Sequence, residues 1–426
     1  MKEIRIKKID EVIYYEKLKN GLDVYLYTKD NFHNNYVTYT TKYGSVYNEF
    51  VPYNSDKMRK FPNGIAHFLE HKVFVQEKDP QPEEFYAKSG ATTNAYTTFK
   101  NTTYLFSGPD NLDENINYLL DFVGSINLTK ENVESEKGII IQEINMCDDR
   151  PMDILYDKIR ENTLHSNTFK ESIIGTKKEV NSITKEDLET CYNTFYHPSN
   201  MFLVVTGSFD KDKVLEVIKK NMDSREYDKR DAVKKPEVFE KDSVVKKYEV
   251  IKINTDIPKL AYNIKINIEN FDMEIRRLNV ILILIFNIIV SDTSLFDSRL
   301  KKKGIITNTL GYNLLNCNTH LIISLIGESD RYEDLIKEID KELKNIHITE
   351  EDLKRKKKVL ISNEIFSYEN IEMVNEMIID NIIFDNHIED NVIGLINSIS
   401  LEEVNKVIKN IDFSNKSVIV IDKKNK

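Results

Sequence analysis

Strand-like runs recur in both halves of this chain, and this repetition limits the folds that are open to it. Runs rich in aromatic and β-branched side chains occur at residues 22–27, 36–41, 201–206, 248–253, 260–268 and 417–421. Such runs are typical of β-strands. The run that closes the second half mirrors the run that closes the strand-rich part of the first half. We therefore expect a weak internal duplication, with one strand-rich domain in each half.

Helical patterns separate these strands. They cover residues 65–74, 112–126, 130–145, 212–221 and 273–290. Strands mixed with amphipathic helices indicate an α+β fold, and 426 residues are too many for one hydrophobic core. Residues 224–247 are heavily charged and lack apolar periodicity. The predicted organisation is a first domain at 1–223, a charged linker at 224–247 and a second domain at 248–426.

Composition excludes several classes of function. The formal net charge is −10 and the pI is about 5.5, whereas nucleic-acid-binding domains usually present a basic face. Cys147, Cys191 and Cys317 lack Cys-x-x-Cys spacing and fit a reducing compartment. The start of the chain lacks the apolar stretch of a secretory signal. The apolar run 280–286 is shorter than a membrane span and predicts a buried element. We expect a cytoplasmic protein that binds neither nucleic acid nor membranes.

The pattern that carries chemistry is His67-Phe68-Leu69-Glu70-His71, which falls in the predicted helix 63–74. Residues four apart stack on one face of a helix, so both imidazoles can reach one metal ion. Glu70 lies on the same face, where its carboxylate can contact a water without becoming a ligand. A catalytic zinc has three protein ligands and one open position, so a third ligand must come from elsewhere. Histidines at this spacing also occur as ordinary surface or core residues.

The third ligand is expected on the helix 130–145. Glu136 and Glu143 are seven residues apart and share a face of this helix. A carboxylate in the apolar stretch around Glu143 is costly to bury, and a cation would remove that cost. The alternative, a solvated acidic face, suits Glu131 and Glu134 better than Glu143.

These motifs together resemble the pitrilysin/insulinase family of inverzincin metallopeptidases, and within it a small bacterial subgroup close to bacteriocin-processing peptidases. The likeness extends over residues 90–104, 136–143 and 196–200. The resemblance implies Zn²⁺ as the cofactor, held by His67, His71 and Glu143, with Glu70 as general base. It further implies two similar domains, each a mixed, mostly antiparallel β-sheet covered by helices.

The same resemblance assigns supporting roles. Glu136 corresponds to an acid that orients a histidine ligand or the water, and Asn94 and Ala95 to an edge strand that pairs with the substrate. Family members often carry an arginine and a tyrosine in the second domain that contact the substrate. Arg299 is the candidate arginine, but Ile305 stands where the tyrosine is expected. The alternative is that Arg299 is an ordinary surface charge.

The predicted function is that of a zinc-dependent endopeptidase acting on peptides or small unfolded polypeptides. Relatives enclose their substrate with four such domains, and this chain supplies two. A heterodimer with a sister subunit that lacks the zinc motif is therefore expected, with a homodimer as the other possibility. Two alternative functions stay open. One is a non-catalytic or weakly active subunit, and the other is a dedicated maturation peptidase for a ribosomally made peptide.

Overall fold

The computed structural model describes residues 1–76 and 80–424. Within these residues the β-strands are β1 Lys2–Ile6, β2 Glu11–Lys17, β3 Asp23–Thr28, β4 Asn35–Thr41, β5 Glu49–Phe50, β6 Arg59–Lys60, β7 Thr92–Thr97, β8 Thr102–Gly108, β9 Met201–Gly207, β10 Tyr248–Ile253, β11 Lys259–Asn267, β12 Gly311–Asn316, β13 His320–Glu328 and β14 Lys416–Lys423. Each strand-like run of the sequence analysis forms a strand.

The α-helices of the described residues include every predicted one. They are α1 Ile65–Phe74, α2 Pro82–Lys88, α3 Leu112–Val123, α4 Lys130–Asp148, α5 Pro151–Thr163, α6 Lys177–Ser182, α7 Lys185–Phe195, α8 Lys211–Asp223, α9 Ile275–Val290, α10 Leu295–Lys302, α11 Tyr332–Lys344, α12 Glu350–Ser367, α13 Ile371–Asp385, α14 Val392–Ser398 and α15 Leu401–Asn410. Together with the strands they confirm the predicted α+β class.

Each half of the chain builds a sheet with the same central strand order. The first sheet runs β1-β2-β3-β9-β4-β8-β7, and the second runs β10-β14-β11-β13-β12. In both, the first two strands of the shared five-strand pattern are parallel and the remaining neighbours are antiparallel. The sheets are therefore mixed and mostly antiparallel, as predicted, and the internal duplication is visible in their topology. The helix that follows the central strand is α1 in the first copy and α9 in the second.

The chain divides into two units that are not contiguous in sequence. The first contains Met1–Ile144, Ser172–Glu237 and Glu364–Val392, and the second contains Asn145–Glu171, Val238–Asn363 and Ile393–Lys426. Two helical segments do not follow the predicted boundaries at 223 and 248. Residues 145–171 come from the first half of the sequence but belong to the second unit, and residues 364–392 come from the second half but belong to the first unit. The predicted linker, 224–247, has no helix or strand and is shared between the units.

Helix α13 belongs to the first unit because the first sheet is buried on both faces. Side chains that alternate along β3 and β9 divide between two cores. Val24, Leu26 and Leu203 pack with α1 and α3, whereas Tyr25, Tyr27, Phe202 and Val204 pack with Val374, Ile378 and Ile382 of α13. Asn375 of α13 also donates to the backbone carbonyls of Tyr36 and Val204 at 3.1 and 3.3 Å. The second face of this sheet thus requires a helix from late in the sequence.

The most apolar helix, α9, belongs to the core of the second unit. The helical segment Ile275–Lys302 could cross a membrane by length and composition alone, but half of its most apolar window is buried inside the structure (50%). The buried side chains of α9 are Leu278, Ile281, Leu282, Leu284, Ile285, Phe286, Ile289 and Val290. They pack against the apolar face of the second sheet and its other helices. The expectation of a buried element at 280–286 is confirmed.

A buried ion pair connects the segment around Glu240 to strand β11 within the second unit. Lys265 Nζ lies 2.7 Å from Glu240 Oε1, and both side chains are fully shielded from solvent. The Glu240 carboxylate also accepts the backbone N–H groups of His165, Ser166 and Asn167. Burial alone would raise the pKa of Glu240, but the hydrogen bonds from Lys265 and these amides outweigh it and lower the pKa to about 2.

We expect Lys265→Met to destabilise the protein by about 3–5 kcal/mol, because it leaves a buried carboxylate without its cation. The free energy of unfolding from chemical denaturation, followed at neutral pH, measures this change. Lys247→Met removes an exposed lysine a few residues from Glu240 and is the matched control. Equal stability of the two variants would contradict the prediction.

Candidate metal centre

Helix α1 brings the two motif histidines together. It begins after Gly64, whose φ of 85° lies in the left-handed region. A Cβ at Gly64 would also collide with the Ile174 carbonyl, so only glycine fits at this position. The apolar face of α1, with Phe68 and Leu69, is fully buried in the first core. The opposite face carries His67 and His71, whose ring centres are 4.7 Å apart.

The third predicted donor comes from α4. Glu143 Oε2 lies 3.7 Å from His67 Nε2 and 3.6 Å from His71 Nε2. One donor atom from each of the three residues falls within 4.8 Å of the others. Around Glu143, Ile140 and Ile144 are buried, whereas Ile139 is 53% exposed, so only one face of α4 is apolar. The structure therefore gathers the three predicted ligands at one point.

Glu136 supports the second histidine from the side away from this point. Its Oε1 lies 3.0 Å from His71 Nδ1, which fixes the ring with Nε2 turned towards Glu143. Its Oε2 lies 3.6 Å from the ammonium group of Lys72, whose side chain is 1% exposed. The family resemblance assigns Glu136 to a position beside a histidine ligand or the water, but Lys72 was not predicted. A lysine beside the motif in an otherwise apolar helix is the signal that could have indicated it.

Glu70 is held beside the three donors by the strand β7. The Thr97 hydroxyl donates to Glu70 Oε2 at 2.6 Å, which leaves Oε1 for another partner. Thr97 ends β7, and its hydroxyl also lies 3.2 Å from that of Thr102. Thr97 was not predicted from the sequence, because a threonine in a strand carries no spacing signal.

The ionisation of these groups fits a cation site. Burial lowers the pKa of His67 and favours the neutral imidazole, the form that binds metals. Burial would also lower the pKa of His71, but hydrogen bonds to Glu136 and Glu143 outweigh it and raise the pKa to about 9. The negative charges of Glu136 and Glu143 favour a proton on His71, and the same charges attract a divalent cation. Burial raises the pKa of Glu70, as expected for a carboxyl group that exchanges protons.

The donor set also fits the size of zinc. Ligand atoms about 2.0–2.2 Å from a tetrahedral zinc lie roughly 3.3–3.6 Å from one another. The distances from Glu143 Oε2 to the two Nε2 atoms, 3.7 and 3.6 Å, are close to this range. Two imidazoles and a carboxylate are a known ligand set for catalytic zinc, and they leave a fourth position open.

The predicted substrate-binding residues of the first unit lie on an edge strand. β7 is the last strand of its sheet and pairs with β8 alone among the described residues, Asn94 opposite Leu105 and Ala95 opposite Tyr104. The Ala95 N–H donates to Asn94 Oδ1 at 2.9 Å, so a rotatable side chain occupies this backbone donor. Since Thr97 of the same strand contacts Glu70, this edge runs beside the donor cluster.

Arg299 lies in the second unit, where acidic side chains engage it. Its Nε lies 3.3 Å from Glu338 Oε2, and its Nη2 lies 2.5 Å from Glu342 Oε2. Ile305, at the position expected for a tyrosine, is buried. The Tyr312 hydroxyl accepts a hydrogen bond from Asn287 at 2.8 Å. These contacts fit the alternative that Arg299 is an ordinary surface charge, and a role for it in substrate binding stays a prediction.

Comparison with known proteins defines the class to which this fold and donor set belong. The sequence profile of the insulinase family (Peptidase family M16) matches residues 58–177, and that of the Peptidase M16 inactive domain matches residues 182–360. The chain belongs to the insulinase family, peptidase family M16, which confirms the resemblance stated from the sequence.

Individual relatives extend this finding over the whole chain. It is 34% identical over 412 residues to the uncharacterized zinc protease YmfH of Bacillus subtilis (strain 168), which covers 96% of each chain. It is 28% identical over 162 residues to the mitochondrial-processing peptidase subunit beta of Caenorhabditis elegans, covering 37% of this chain and 35% of that one. A crystal structure of an M16-like peptidase from Alicyclobacillus acidocaldarius superimposes with a TM-score of 0.91 at 29% identity, covering 98% and 99% of the two chains.

Proposed function

We propose that this protein is a zinc-dependent endopeptidase that hydrolyses peptides or small unfolded polypeptides. The observation that carries the proposal is the position of Glu70, which is hydrogen-bonded to Thr97, lies on the same helix as His67 and His71, and interacts electrostatically with His71 and Glu143. A structural metal site needs no such acid beside an open coordination position. The names of relatives such as the zinc protease YmfH support the same reading.

In this proposal His67, His71 and Glu143 hold the zinc ion. When bound, zinc acts as a Lewis acid that polarises a carbonyl oxygen and lowers the pKa of water to about 7. Glu70 accepts the proton of the attacking water at Oε1, because Thr97 occupies Oε2. The same carboxyl group then donates this proton to the nitrogen of the leaving amine. Glu136 keeps His71 oriented, and Lys72 balances the charge of Glu136.

The edge strand β7 supplies the proposed substrate contact. An extended peptide can add to such an edge through main-chain hydrogen bonds, which recognise backbone rather than side chains. Asn94 would rotate away so that the Ala95 N–H can donate to the substrate. This mode requires an extended segment, which is why peptides and unfolded polypeptides are the proposed substrates.

The test of this function combines metal analysis with cleavage of a peptide library. We expect about one zinc per chain, removable by a chelator, and cleavage that stops on removal and returns when zinc is restored. The purified chain is analysed by inductively coupled plasma mass spectrometry before and after chelation. A chain that carries no zinc, or that cleaves equally well without it, would contradict the proposal.

The second candidate function is that of a non-catalytic or weakly active subunit of a heterodimeric peptidase. Contacts within the second unit of this chain favour it. Arg299 is engaged by two glutamates, and the position expected for a tyrosine holds the buried Ile305. A relative, the mitochondrial-processing peptidase subunit beta, is named as a subunit. We propose a heterodimer in which a sister subunit lacking the zinc motif supplies substrate contacts, with a homodimer as the alternative.

We expect the zinc-loaded chain alone to cleave peptides slowly, because an unanchored substrate seldom reaches attack geometry, and positioning contributes several kcal/mol of the barrier. Mixing it with the product of a neighbouring gene of similar size is expected to raise the rate at least ~10²-fold. Peptide cleavage and sedimentation are measured together over a dilution series. Full activity at dilutions where the chain is monomeric would contradict both dimer versions.

Two further points stay proposals. We propose that the protein is cytoplasmic, and cell fractionation would test this. A dedicated role in maturing one ribosomally made peptide would appear as a sharp preference for a single sequence in the library, whereas general peptide turnover would give many cleavage sites.

A further inference from the structure

A lysine-lined cavity lies at the carboxyl end of α13 within the first unit. Its volume is about 220 Å³, and its lining includes Lys42, Lys100 and Lys235. Lys42 directly follows β4, and Lys100 lies in the turn between β7 and β8. Lys235 belongs to the irregular segment after α8. Three separate parts of the fold thus direct lysines to one cavity, which we call the lysine cavity.

Aromatic and polar groups position these lysines. Lys235 Nζ lies 3.2 Å from the ring centre of Tyr47, and Lys100 Nζ lies 4.5 Å from that of Phe384. Lys42 Nζ donates to Asn386 Oδ1 at 3.2 Å. Stacking of an ammonium group on a ring holds its charge without neutralising it. Neither Lys42 nor Lys235 forms an ion pair in the described part of the chain, so positive charge accumulates in the lysine cavity.

Electrostatic repulsion between the neighbouring ammonium groups is unfavourable, and a bound anion would offset it. Burial of its ammonium end, followed by the charges of Lys100 and Lys42, lowers the pKa of Lys235 to about 8. Burial also lowers the pKa of Lys42. The nearby carboxyl end of α13 attracts cations, but that effect is short-ranged and screened. It does not require three lysines to share one cavity.

We propose that the lysine cavity binds a compact oxyanion of the phosphate class. Lysine ammonium groups bind phosphate as point charges, and those of Lys42 and Lys235 match the charge of a divalent anion. At about 30 Å³ per water, the lysine cavity has room for such an anion and several waters. This inference does not depend on the peptidase activity, because none of the three lysines belongs to the metal centre.

Binding would have a structural effect. Lys100 stands three residues after Thr97, in the turn that ends the edge strand, and Lys235 stands in the irregular segment. One anion would therefore tie this segment to the β7–β8 turn and to the end of α13. A ligand that binds only the folded protein raises its stability in proportion to the logarithm of ligand concentration over Kd.

Calorimetric titration of the zinc-loaded chain with inorganic phosphate, at constant ionic strength, tests the proposal. We expect saturable binding at one site per chain. Lys42→Gln/Lys235→Gln should weaken it at least about tenfold, since hydrogen bonds to charged groups are lost. Lys234→Gln, which changes the exposed neighbour of Lys235, is the matched control and should bind as the unaltered chain does.

Phosphate can also bind a metal, so the titration is repeated with His67→Ala. Binding that persists in His67→Ala and weakens in the double variant supports the lysine cavity. Absence of saturable binding, equal affinity in the double variant, or loss in His67→Ala alone would overturn the proposal. If the double variant fails to fold, Lys235→Gln alone serves, because Lys235 lies outside every helix and strand of the described residues. It should weaken phosphate binding several-fold, and unchanged affinity would count against the proposal.

Discussion

Glu70→Gln is expected to lower the turnover number at least about 100-fold while the chain keeps its zinc. The amide has the size and helix propensity of the acid but cannot accept a proton from water. Since Glu70 is hydrogen-bonded to Thr97 rather than placed between the three donors, its loss should leave the donor set intact. Steady-state kinetics on a cleaved peptide, with zinc content measured on the same sample, gives both quantities.

Two variants sharpen this experiment. Glu83→Gln makes the same chemical change at an exposed position of α2 and should cleave normally. Thr97→Val removes the hydroxyl that orients Glu70 and should lower turnover less than Glu70→Gln does, because the base remains. A Glu70→Gln protein with near-normal turnover would mean that another group accepts the proton, and the proposed mechanism would be wrong.

His67→Ala and His71→Ala are each expected to abolish stoichiometric zinc binding. Either change leaves two of the three proposed ligands, fewer than catalytic zinc sites use. Glu143→Gln should weaken zinc binding as well, since it removes the one anionic ligand. Glu136→Gln should lower zinc affinity by about 10–100-fold, because Glu136 acts through His71. Competition with a chromophoric chelator measures all four affinities.

His33→Ala is the control for loss of an imidazole, because His33 is exposed and remote in sequence from the motif. It should retain one zinc per chain. Full zinc retention in both His67→Ala and His71→Ala would refute the metal centre, whatever the fate of activity.

The clustering of the candidate donors could be predicted from the sequence because helical spacing is a local property. His67, Glu70 and His71 share a face whenever residues 63–74 form a helix, and the apolar residues between them ensure that they do. Glu143 could be inferred because a carboxylate stands out in an apolar stretch. The assignment of Glu136, Asn94 and Ala95 rested on the family resemblance, and the structure brings Glu136 to His71 and puts Asn94 and Ala95 on an edge strand.

What the sequence did not indicate depends on contacts between distant segments. Thr97 reaches Glu70 only because β7 packs against α1, and Lys72 becomes meaningful only when Glu136 lies beside it. The same limit applies to α13, which packs against strands that lie far earlier in the sequence. Arg299 shows a different limit. The family resemblance suggested a contact with substrate, but the sequence did not indicate that Glu338 and Glu342 of α11 lie beside this arginine.

Because α13 covers one face of the first sheet but comes late in the sequence, that face is completed late during protein synthesis. The strands of the first sheet are complete once β9 has left the ribosome, yet the face formed by Tyr25, Tyr27 and Phe202 stays open until α13 emerges. At about 5–20 residues per second, this interval lasts roughly ten to forty seconds. A nascent chain would therefore expose an aromatic surface throughout that time, and fragments cut at residue 223 would expose it permanently. Chaperone contact with this face is expected to end when α13 docks.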